Sequence, residues 1–248
     1  MANEARDAAI THLVDGEYAA AGDDYALAGY TELSGYADHD RDVFDPDGRG
    51  YVGYAFQYLL TAALCSRLAG TDDRARNRCK QVVVLAEEQR DHVRREPVEQ
   101  AVFEEFVGDA YAIAGSASAG DAYDRAAERY AEADPDDPLD WATRPPFEAA
   151  TGLLTHVSRN TSREVAWDDV HGPNPSEPDY LAHRPRYKRR VVPAVVEAIL
   201  DAGVLHPPRG TTEHNNANWV CPNCTTNEVN WVGDEIVCID CSTRMERR

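Results

Sequence analysis

Between residues 2 and 133 the chain shows no continuous strand pattern. Apolar residues instead recur at i, i+3, i+4 and i+7, as in Leu59, Leu60, Ala63 and Leu64, and glycine breaks the runs at Gly16, Gly70 and Gly115. A helical period cut by glycine at such intervals folds back on itself as antiparallel helix pairs. The expected pairs are 3–15 with 18–36, 51–69 with 73–95, and 98–114 with 117–133, Pro97 marking the break before the third. A polar loop, 38–50, separates the first pair from the second. Its aspartates (Asp38, Asp40, Asp42, Asp45, Asp47) do not make a calcium loop, because neither register places a glutamate at position twelve.

A small-residue code runs through the pairs. Gly16 is followed by Ala21, Tyr25 and Ala28, and Gly115 by Ala119, Tyr123, Ala126 and a late Pro135. Gly70 is followed by Ala75, Cys79 and Val82, a poorer match. Small residues at fixed offsets let two helices approach closely, the aromatic fills the gap, and the glycine reverses the chain. This pattern resembles the tetratricopeptide repeat, although unit starts near 3, 51 and 98 imply longer helices than its usual period. The resemblance implies a solenoid with a concave groove lined by the first helix of each pair, for example by His12, Tyr54, Tyr58 and Phe106. The residues alone also admit an irregular bundle with alanine-rich interfaces. Cys65 and Cys79 fall on the middle pair and are expected as buried fillers.

One more helix, 147–159, is expected as a cap, closing a helical domain at 1–160. A connector, 161–210, is rich in proline (Pro173, Pro175, Pro178, Pro185), holds Trp167 docked on the helices, and recovers a helix only at 187–202. The last module spans 217–248. There Cys221-Pro-Asn-Cys224 and Cys238-Ile-Asp-Cys241 form two C-x2-C knuckles, each placing two thiolates on one side of a tight turn. Two such knuckles complete a tetrahedron around one ion with Zn–S bonds of roughly 2.3 Å, so one structural Zn2+ per chain is expected on Cys221, Cys224, Cys238 and Cys241. Gly233-Asp234 joins two short strands between the knuckles, and Trp219 and Trp231 are expected to pack over the site. Knuckle, hairpin, knuckle resembles the zinc ribbon, except that Thr225 and Ser242 stand where glycine often follows each second cysteine. Rubredoxin-like iron chemistry beside a di-iron bundle is disfavoured, because no Glu-x-x-His motif occurs. The fold class is therefore mainly α, with a small C-terminal β ribbon.

The chain carries 44 acidic and 25 basic side chains, for a net charge of -19, and only Lys80 and Lys188 are lysine. Acid excess with scarce lysine resembles the proteins of extreme halophiles, where molar salt screens self-repulsion. No apolar stretch reaches a membrane span and the N-terminus has no signal-peptide core, so a cytoplasmic location is expected. Against this acidity, Arg184, Arg186, Lys188, Arg189 and Arg190 stand within seven residues. They form either a patch for phosphate or an acidic partner, or an internal clamp on the chain's own carboxylates. No phosphate loop, nucleophile elbow or H-E-x-x-H is present. The expected function is a non-enzymatic protein-interaction scaffold, with a nucleic-acid-binding regulator using the ribbon and the basic stretch as the alternative.

Overall fold

The computed structural model describes residues 2–34, 52–172, 174, 179–212 and 216–248, so the polar loop at 38–50 lies outside them. Three antiparallel helix pairs come first. They are α1 (Ala2–Val14) with α2 (Tyr18–Leu33), α3 (Val52–Leu68) with α4 (Asp72–Glu88), and α5 (Pro97–Ile113) with α6 (Ala119–Ala133). A single π turn, Gln89–Val93, extends α4. Each pair reverses at its glycine, with φ of 72° at Gly16, 70° at Gly70 and 71° at Gly115. In this left-handed conformation the following amide reaches back along the helix: Glu17 N donates to His12 O at 2.8 Å and Ser116 N to Tyr111 O at 2.8 Å. Consecutive helices pack in order from α1 to α6. Contact is close where the small residues lie: a Cβ on Gly29 would fall 2.8 Å from Leu59.

The second half of the chain folds back over the first helices of the pairs. After a short α7 (Pro138–Ala142), α8 (Pro145–Ser158) packs on α3. Then a short α9 (Trp167–His171) leads to α10 (Tyr180–Ala202), which packs on α5, α6 and α8. Helices α3 and α5 are consequently buried on most faces, which explains why their sequences are apolar nearly all round. Phe106, expected in an open groove, is fully buried and stacks on Phe56 with centroids 5.0 Å apart. Tyr54 and Tyr58 are half-buried, and His12 is paired with Glu17 at 2.7 Å. The groove face is thus filled by the chain's own C-terminal helices, because α8 and α10 supply the apolar surface that α3 and α5 require.

Helix α10 begins seven residues before the expected start. Pro185 reads as a breaker but lies inside the helix, buried and close to its start. What seats α10 is electrostatic. Arg184 and Lys188 stand four apart on α10 and face Glu105 and Asp109, four apart on α5. Lys188 Nζ lies 2.6 Å from Asp109 and 2.9 Å from Glu105, and Arg184 donates to both Glu105 oxygens at 3.1 Å. Tyr123 and Tyr130 donate the remaining bonds, to Asp109 and Glu105 at 2.7 and 3.1 Å. All six side chains are buried. Burial raises a carboxyl pKa, and it wins at Asp109; at Glu105 the charges of Arg184 and Lys188 outweigh it and hold the group at about 2.

The C-terminal module holds two small antiparallel sheets. In one, β2 (Val229–Val232) pairs with β3 (Glu235–Cys238), Val229 opposite Cys238 and Val232 opposite Glu235. In the other, β1 (Trp219–Val220) pairs with β4 (Glu246–Arg247).

Two outcomes follow. Lys188→Met leaves two buried carboxylates short of a partner and is expected to cost about 3–5 kcal/mol in urea unfolding. Arg189→Met, which removes a half-exposed side chain paired with Asp124 at 3.2 Å, is expected to cost under about 1 kcal/mol. Equal costs would contradict the ladder. Separately, burial pushes His156 and His171 down to about 4, below the unfolded value of about 6.5. The unfolded chain therefore binds more protons between those values. Their contribution is complete above about pH 6.5 and is lost as pH falls toward 4. Melting temperature should fall across that window, and less steeply in His156→Gln.

Candidate metal centre

Four sulfurs converge at the base of the ribbon. The Sγ atoms of Cys221, Cys224, Cys238 and Cys241 all lie within 4.8 Å of one another. Three of the separations are 3.5, 3.5 and 3.8 Å: Cys221 to Cys241, Cys224 to Cys238, and Cys224 to Cys241. A tetrahedral ion with sulfurs at roughly 2.3 Å requires edges of roughly 3.8 Å. Donor set and spacing therefore fit a tetrathiolate ion, and these four cysteines could hold one. Thr243 Oγ1 lies 3.3 Å from Cys241 Sγ. Burial works against the Cys241 thiolate, but hydrogen bonds from Thr243 and Asn223 hold it down to about 6. Cys65 and Cys79 sit elsewhere, buried on α3 and α4, where burial pushes both thiols up to about 12.

Each knuckle closes on a residue in the left-handed region. Thr225 has φ 64° and Ser242 φ 57°, the positions where the sequence lacks the usual glycine. Their amides still make the knuckle bonds, Thr225 N to Cys221 O and Ser242 N to Cys238 O, each at 3.0 Å. Thr225 is β-branched and strained there. Ser242 has a compensation, because its hydroxyl lies 2.9 Å from His206 Nδ1. Gly233 opens the hairpin turn at φ 55°. Trp219 and Trp231 meet edge to face with centroids 5.6 Å apart and pack against Cys221, Val229, Cys238 and Met245.

The ribbon is fastened to the helices at its second knuckle. Arg159, which ends α8, donates to Ile239 O and, at 2.5 Å, to Pro207 O. Asn160 Nδ2 donates to Ile239 O at 2.9 Å and Asp240 O at 2.8 Å. Both carbonyls lie between Cys238 and Cys241. On the other side, Arg244 bridges Asp15 at the end of α1 and Glu235 of β3, at 2.5 and 2.8 Å. The connector is stitched in as well. Thr211 pairs with Trp231 through bonds of 2.9 and 2.8 Å, and buried Asn230 accepts from Gly210 N at 2.7 Å and donates to Pro208 O at 3.0 Å. Sequence reasoning missed these fasteners, since none of Arg159, Asn160 and Asn230 belongs to a motif.

The basic stretch does not form one patch. Arg184 and Lys188 point inward to the ladder described above, whereas Arg186 and Arg189 are half-exposed and paired with Asp179 and Asp124 at 2.8 and 3.2 Å. Arg190 lies over the Tyr187 ring at 6.0 Å. Trp167 stacks on His171 at 3.9 Å and keeps 42% of its surface exposed. Compared with known proteins, the chain matches no family model, no curated protein and no solved structure.

Relieving the strained knuckle is a direct test of this geometry. Thr225→Gly should stabilise the metal-loaded protein by roughly 1 kcal/mol, less the cost of glycine's greater unfolded-state freedom. Ser242→Gly should gain less, since it also loses the bond to His206. Melting temperatures of the three metal-loaded proteins check this; a Thr225→Gly variant that melts below the parent would contradict it.

Proposed function

We propose that the chain is a non-enzymatic binding scaffold: tetratricopeptide-like helix pairs bearing a zinc ribbon, working in the cytoplasm of a halophile. The observation that carries this reading is the closed sulfur tetrahedron. With four protein thiolates, an ion has no free position for water or substrate, so its role is to hold the knuckles together. Zinc suits a tetrathiolate site without redox chemistry, and the ion would supply most of the folding energy of so short a ribbon. Glycine turns and small-residue contacts between consecutive helices support the repeat reading. Filling of the groove face moves any partner surface to the outer helices or to the ribbon. No helix among the described residues is long and apolar enough to cross a membrane.

The alternative, a nucleic-acid-binding regulator gripping a backbone through 184–190, now has only Arg186, Arg189 and Arg190 at the surface. Neutralising those three separates the readings. A scaffold should retain in molar KCl a protein partner recovered by reciprocal pull-down, and lose it when chelation opens the ribbon. Metal analysis should give about one zinc per chain. Failure to recover a protein with the intact chain, together with salt-sensitive DNA or RNA binding that the triple variant abolishes, would overturn the scaffold in favour of the regulator.

A further inference from the structure

Beneath the ribbon hairpin lies a cleft of about 390 Å³, within the range of roughly 300–1,000 Å³ typical of ligand sites. It exists because the ribbon is fastened down. The hairpin segment 231–233 borders it on the ribbon side, Tyr54 and Tyr58 of α3 on the helical side, and Arg6 of α1 and Arg209 of the connector bring two guanidinium groups to it. In a chain with 44 acidic side chains, no carboxylate lines this cleft among the described residues. Asp7, next to Arg6 in sequence, is held by it at 2.9 Å. Arg209 makes no hydrogen bond among the described residues and approaches only Glu164, at 4.0 Å, with 63% of its side chain exposed. Tyr25, which stacks on Tyr58 with centroids 6.2 Å apart, also lines the cleft and has a hydroxyl without a hydrogen-bond partner. The neighbouring cleft of about 640 Å³ shares Arg209 but is lined by Glu164 and Asp169, which oppose an anion.

An aromatic face in the wall of a cleft accepts a planar ring, and every nucleobase offers one. Guanidinium groups beside such a platform take phosphate. Gln57, also in the lining, supplies an amide able to meet a base edge. We propose that this cleft binds a phosphorylated nucleoside, its base against the α3 tyrosines and its phosphate on Arg209 and Arg6. This goes beyond the scaffold reading, which assigns no small-molecule site. The same chemistry is presented by a free nucleotide and by the phosphorylated end of a single strand.

Isothermal titration of the full-length, metal-loaded protein, at 0.15 M and 2 M KCl, distinguishes the sources. The ligands are the four nucleoside 5′-monophosphates and a 5′-phosphorylated tetranucleotide. Binding of a monophosphate assigns the free nucleotide, and binding of the tetranucleotide alone assigns the strand end; each supports the proposal. Arg209→Gln should weaken binding about tenfold and Tyr58→Leu at least as much, while Arg76→Gln, an exposed side chain of α4 outside the lining, should leave it unchanged. Arg209 is exposed, so its variant should fold as the parent does. Absence of binding by every ligand at both salt concentrations would overturn the proposal, as would binding that Arg209→Gln and Tyr58→Leu leave intact.

Discussion

Two carboxylates on α5 and two cations on α10, each pair four residues apart, meet in the interior of this protein and set the course of everything that follows them in the chain. Isolated, any one of those charges would be prohibitive to bury. Together with Tyr123 and Tyr130 they neutralise one another and fix both the register and the direction of α10 against α5. An apolar seam alone would permit α10 to slide by a turn; a ladder with a four-residue step on both helices resists it. Once α10 is seated, its end at Ala202 and the connector behind it deliver the ribbon to the ends of α1 and α8.

The ribbon shows the reciprocal dependence. Its four cysteines could hold one ion, and the second knuckle also lends its backbone carbonyls to Arg159 and Asn160, while Arg244 ties the ribbon to Asp15. The first helices of the second and third pairs therefore end up covered by later parts of the same chain, α3 by α8 and α5 by α10, and the end of α1 is tied to the ribbon through Arg244. A helix-pair array that closes its own face in this way leaves open its outer surface, the ribbon, and the clefts where ribbon and helices meet.

Local patterns were the legible part of the sequence. Glycine-broken periodicity located the six paired helices to within a few residues, and the cysteine spacing located the sulfur cluster. Legibility failed where long-range contact overrides local preference. Pro185 read as a helix breaker because a single chain segment gives no sign that burial against α5 would hold the helix together around it. The basic run at 184–190 read equally well as a surface patch or an internal clamp. The deciding signal was present in the matching four-residue spacing of Glu105 with Asp109 and Arg184 with Lys188, but it lies 79 residues apart. Arg159, Asn160 and Asn230 carry no motif; their importance arises only from what the fold places opposite them.

That helices and ribbon form one fastened body, rather than two modules on a tether, is the claim on which the functional readings rest. Hydrogen exchange measured with the metal bound and after chelation tests it most directly. The account predicts that chelation accelerates exchange in the ribbon and also at Gly210 and Thr211, whose amides are bonded to it, while α5 and α10 keep their protection. Acceleration confined to residues 219–248, with the connector amides unchanged, would contradict it.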